Sequence, residues 1–109
     1  MAKYLIEGSY SHEGLKGLVK EGGSGRKAAA EAAVKALGGR LESFYFAFGT
    51  ADVYGVADMP DNVSAAAFAL AVGNTGALAH LKTVVLLTTD EVDQAAKKAG
   101  GAGYRPPGH

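Results

Sequence analysis
Seven side chains able to move protons or hold an anion fall on segments that read as β-strand: Glu7, Ser9, Tyr45, Asp52, Tyr54, His80 and Lys82. A strand sends alternate side chains to opposite faces. The more apolar parity of each strand (Tyr4 and Ile6; Phe44, Phe46 and Phe48; Val53 and Ala57; Leu81, Val85 and Leu87) is assigned to a helix-covered core. The seven residues, with Ser43, then share the other face. A histidine beside a carboxylate in a half-dry cavity has the makings of a general base. His80, Glu7 and Asp52 are therefore the candidate catalytic residues, and Tyr45, Tyr54, Lys82 and Ser9 the candidate ligand-binding ones. Each also has a plain structural use. Asp52 follows a tight bend, where a carboxylate commonly takes backbone N–H groups. Glu7 and Lys82 can form an interfacial ion pair, His80 can hydrogen-bond across an interface, and the tyrosines can simply pack.

The elements that must position these groups follow from periodicity and punctuation. Lys3 to Tyr10 reads as a first strand, and Ser11 can cap a short, glycine-weakened helical turn. Gly22-Gly-Ser-Gly interrupts it, and Ser24 can cap a better helix from about Gly25 to Leu37, ended by Gly38-Gly39. Arg40 to Phe48 and Asp52 to Met59 are strands joined by a hairpin. Asp61 precedes an alanine-rich helix to about Val72. Leu78 to Thr88 is a long fourth strand, and Thr89 or Asp90 caps a last helix to about Ala99. An irregular tail covers about 100 to 109. The order β-α-β-β-α-β plus a helix predicts one α+β domain over residues 1–109, a ferredoxin-like sandwich with its antiparallel sheet in the order 4-1-3-2.

Leu41, Tyr45, Ala47, Val84 and Leu86 fall on the face that the helices leave open. A sheet face open to water alternates cleanly with polar residues. The apolar groups on both faces therefore predict a homodimer in which a second sheet closes a barrel-like interior. Alanine-rich faces such as Ala65 to Ala71 would let dimers pack into a higher oligomer.

Composition narrows the function classes. Eleven basic and eleven acidic side chains cancel among 109 residues, so neither nucleic acid nor an anionic membrane is an expected partner. Cysteine is absent, which removes disulfides and thiol catalysis. His12, His80 and His109 lack ligand spacing, so no metal is expected, and no cofactor motif is legible. No G-x-S-x-G occurs. Gly22-Gly-Ser-Gly-Arg-Lys lacks the spacing and preceding strand of a phosphate loop, although Ser24, Arg26 and Lys27 at a helix start could hold an anion. With no signal-like apolar core after Met1, a cytoplasmic location is expected.

Glu13-Gly-Leu, Leu37-Gly-Gly39, Phe44-Tyr45, Gly49 to Asp52, and Pro60-Asp61-Asn62 before an alanine-rich helix together resemble the GYD-domain family of small bacterial and archaeal proteins. Thr50-Ala51 stands where that family usually has a tyrosine beside the Asp, so no role of that tyrosine carries over. The resemblance implies a fold like that of dimeric α/β barrels, a superfamily that includes cofactor-free monooxygenases and isomerases, and no settled activity. Two readings remain. One is a homodimer binding a small apolar or aromatic molecule, with or without cofactor-free proton-transfer or oxygenase-type chemistry. The other is a non-catalytic structural or regulatory protein docking on a larger assembly, for which the extended Tyr104-Arg-Pro-Pro tail is suited.

Overall fold
A computed structural model describes residues 1–109. Strands β1 (Ala2–Tyr10), β2 (Arg40–Phe46), β3 (Val53–Met59) and β4 (Leu78–Leu86) and helices α1 (His12–Ala36), α2 (Asn62–Gly73) and α3 (Thr89–Ala99) follow in the order β1-α1-β2-β3-α2-β4-α3. The four strands form one antiparallel sheet in the order β2-β3-β1-β4. This is the expected ferredoxin-like α+β arrangement, with α1 and α2 on one face.

The helix boundaries have local causes. Ser11 accepts the Gly14 N–H and starts α1. Gly22, at φ 79° and ψ 169°, breaks the helix in a backbone region that is nearly glycine-only. Helical geometry resumes at once, so Ser24 lies inside the second segment and does not cap it. At the far end Gly38 takes φ 84°, its N–H reaches the Lys35 carbonyl, and the Gly39 N–H reaches the Val34 carbonyl. That is the paired closure of a Schellman motif. Gly39 is needed for space as well: a Cβ there would sit 2.5 Å from the Asp58 carbonyl oxygen. Asp61 caps α2 by accepting the Ser64 N–H at 2.8 Å, a bond that holds its carboxyl below the usual carboxylate range. The cap of α3 is Thr88, one residue before the expected pair, in a reciprocal capping box with Glu91.

The core occupies one end of the sandwich. Tyr4, Val34, Ala57, Met59, Ala65 and Phe68 are buried together, and the Tyr4 hydroxyl donates to Asn62. Tyr4 and Ala57 are register partners, which fixes the even residues of β1 on the helix side.

Further expectations for strand residues are corrected, Val85 among them, since it stands opposite Tyr4 but is 55% exposed. Leu41 faces the helices, because the β2–β3 register shifts between Leu41 and Ser43 and the bulge reverses the alternation. Phe48 lies beyond the end of β2 and is fully exposed, so it is no core residue. Leu87 likewise follows the end of β4 and is 60% exposed. Helix α3 makes no substantial contact with the rest of the chain, and all its residues are exposed. It gives the protein a radius of gyration of 17.2 Å, against about 13 Å for a compact domain of this size.

Candidate functional site
The open face of the sheet is organised in transverse rows, because register places side chains of the same parity opposite one another. Tyr45, Tyr54, Glu7 and Lys82 form one row across β2, β3, β1 and β4. The next holds Ser43, Val56, Leu5 and Val84, and the third Arg40, Asp58, Lys3 and Leu86. Apolar content on this face is thus a central band flanked by polar rows.

The structure gathers the seven candidate residues on or beside this face and gives several of them structural partners. The Glu7 carboxylate lies 4.0 Å from the Lys82 ammonium. No hydrogen bond joins Glu7 to His80, which instead stands opposite Ser9 and is exposed. Ser9 Oγ donates to the Thr50 carbonyl at 2.8 Å, tying β1 to the β2–β3 connection. Asp52 pins the same connection three ways. Its Oδ2 accepts the Tyr10 N–H at 2.9 Å, its own N–H donates to Gly8, and its carbonyl accepts the Ala47 N–H. Tyr45 and Tyr54 are direct cross-strand partners, Tyr45 70% exposed.

One charged cluster on this face has no counterpart in the sequence reading. Lys3 Nζ donates to Asp58 at 2.9 Å and to Glu42 at 3.0 Å, and Arg40 donates to the other Asp58 oxygen at 3.0 Å. The Lys3 hydrogen bond, helped by Arg40, holds the Asp58 carboxyl below its usual range, and the same contacts raise the Lys3 ammonium above its own. The cluster bridges β2, β3 and β1. Only the register, which sets Asp58 opposite both Lys3 and Arg40, makes it visible.

The enclosed space lies on the other side of the sheet. A cavity of about 260 Å³ separates the helices from the sheet at the end away from the packed core. Residues of small side-chain volume contribute much of its lining: Gly8 and Gly55 on the strands, and Ala29, Ala30 and Ala33 on α1. Ile6, Phe44, Val53 and Phe68 supply apolar walls. At the polar part of the lining stand Tyr10 and Arg26. Burial pushes the Tyr10 phenol above its usual range, and the nearby Arg26 guanidinium opposes that shift. None of Glu7, Ser9, Tyr45, Asp52, Tyr54, His80 and Lys82 lines this cavity. The alanine-rich stretch 28–33, broken only by Glu31, was its one signal in the sequence.

No helix is long and apolar enough to cross a membrane. No curated protein matches the chain. Among solved structures it is similar to the crystal structure of NE2512, a protein of unknown function from Nitrosomonas europaea. The two share 18% identity over 81% of this chain and 90% of that one, with a TM-score of 0.41. The sequence model of the GYD domain matches residues 4–96, which span all four strands and both packed helices, and the chain therefore belongs to the GYD-domain family.

Proposed function
We propose that this protein is a homodimer that binds a small apolar or aromatic molecule in the cavity between its sheet and its helices. The cavity itself carries the reading. Its volume of about 260 Å³ lies just below the range of roughly 300–1,000 Å³ typical of ligand sites, so the ligand is small. Fourteen of its eighteen lining residues are hydrophobic, which suits an apolar body. Tyr10 is the lining's one phenol, and any proton-transfer or oxygenase-type step inside the cavity would have to use it or the ligand's own groups. Titrating the protein with indole and watching the probe's fluorescence tests the binding, since the chain has no tryptophan to interfere. Failure of indole and of substituted benzenes to bind at millimolar concentration would refute it.

The homodimer is supported by the open face, where Leu5, Val56 and Val84 form an apolar centre within a polar rim, the usual layout of an interface. Only 11 of 109 residues are buried within one protomer, so association would add materially to its core. Sedimentation at micromolar concentration should give a dimer, and Val84→Asp should give a folded protomer that still binds the probe. A wild-type protein that sediments as a lone folded protomer would end the dimer proposal.

One observation favours docking on a larger assembly as a second role. Helix α3 is amphipathic, with Val92, Ala95 and Ala99 on one side, and makes no substantial contact with the other elements. Truncation after Leu87 should leave dimerisation and probe binding intact while reducing the mass of any larger complex.

A further inference from the structure
Building on the binding reading above, we propose that the cavity is selective for a small aromatic or branched monocarboxylate, its apolar body in the alanine-lined chamber and its carboxylate held by Arg26 and Tyr10. Arg26 is the one cation in the lining. Its guanidinium is a planar fork whose paired donors match the two oxygens of a carboxylate. Tyr10 stands beside it as a neutral donor, and its backbone is fixed by the 2.9 Å bond from its N–H to Asp52. The remaining polar side chain, Thr75, is already committed: its hydroxyl donates to the Val72 carbonyl at 2.7 Å and accepts the Ala77 N–H at 3.2 Å.

The occupant of the guanidinium in the free protein is informative. Glu21 meets only Nη1, at 3.2 and 3.4 Å, while strong charge-assisted bonds run at about 2.7–2.9 Å. The guanidinium's only geometric hydrogen bonds run from Nη1 to Glu21, and the Tyr10 phenol is its other close neighbour. Glu21 and Arg26 lie on opposite sides of the break at Gly22, so the contact spans the kink and does not follow the helix ladder. Glu21 is also 46% exposed and loses little solvation by swinging away. A carboxylate thus already rests loosely on the same guanidinium, although Glu21 itself is not part of the cavity lining. Glu21 therefore acts as an internal competitor, and neutralising it should strengthen binding just as neutralising Arg26 weakens it. Substitutions of opposite effect at two touching residues are hard to obtain from a loss of folding.

The test uses the full chain with indole-3-acetate and its neutral isostere indole-3-acetamide, both read by their own fluorescence. A charge-assisted hydrogen bond at a partly exposed site corresponds to about a tenfold preference, so the acid should bind about tenfold more tightly than the amide at pH 7. Arg26→Gln should bring that preference close to unity, weakening the acid several-fold more than the amide. Glu21→Gln should raise the acid's affinity about two- to fivefold, the range expected when a loose, half-exposed ion pair is removed as competitor. Equal binding of acid and amide, or an Arg26→Gln variant that weakens both alike, would overturn the carboxylate selectivity and leave the apolar binding reading standing. Binding of neither probe would overturn both.

Discussion
Filling the cavity from Ala30 is the most direct test of whether that space is vacant and functional. Ala30 is half-buried on α1 and lines the chamber. Replacing it with leucine adds three carbons, which at about 0.8 kcal/mol per buried methylene contribute at most about 2.4 kcal/mol. Freezing the new side chain costs about 0.5–1 kcal/mol. Leucine is nearly as good a helix former as alanine, so the helix itself loses only a few tenths. Because the cavity is only partly enclosed, some of the added surface stays wet, and a net gain of about 1 kcal/mol is expected. For a domain of this size that raises Tm by about 4–8 °C. The same substitution should remove indole binding, since the leucine occupies the chamber. Thermal unfolding followed by circular dichroism, with and without the probe, reads both effects. The reasoning fails if Ala30→Leu lowers Tm, as overpacking of a filled core does at a cost of about 1–3 kcal/mol. It fails equally if the variant binds indole as the wild type does.

Three further outcomes are expected. Asp58→Asn should cost about 1 kcal/mol at pH 7, in the range of a surface charge cluster with good geometry. Because Lys3 holds the folded Asp58 carboxyl below its ordinary value of 3.8, that stabilisation is present above this pH and is lost as pH falls through the lower folded value. The gap between variant and wild type should therefore close in acid and narrow at high pH, where Lys3, raised above its ordinary 10.5, loses its proton while Arg40 keeps its own. Urea unfolding across pH shows this, and a gap that persisted at full size at both extremes would dismiss the cluster. Gly14→Ala should destabilise by about 3 kcal/mol or prevent folding, since the new Cβ would lie 1.9 Å from the Ala77 carbonyl oxygen where the start of α1 meets the approach to β4. A variant with unchanged Tm would contradict that close contact. Hydrogen exchange should be fast in α3, an eleven-residue helix without substantial tertiary contact, and slow in β1, which is paired on both edges. Thr88→Ala should lower helix content without moving the main transition, and strong protection of α3 would instead mean that something covers it.

Much of the fold was legible because its signals are local. Ser11, Asp61 and Gly38-Gly39 cap or close helices through bonds to residues three to five positions away, and spacing along the chain is enough to recognise them. The strands announced themselves by alternation, and their pairing order followed from connection lengths. The grouping of Glu7, Tyr45, Tyr54, His80 and Lys82 on one face was likewise legible, because parity survives folding wherever a strand is regular. Parity broke at Leu41, where one extra residue in the ladder turned the side chain to the other face.

What remained hidden depends on distances between residues far apart in the chain. A void exists only when facing side chains are all too small to meet, and Gly8, Ala30 and Gly55 are brought together by the sheet and the α1 crossover alone. Arg26 belongs to that void across a break at Gly22 that glycine permits but whose direction is not legible along the chain. Asp58 gains two cations because antiparallel register sets it between Lys3 and Arg40. Periodicity along a chain carries direction and face, whereas volume and charge pairing between elements arise only when those faces are pressed together.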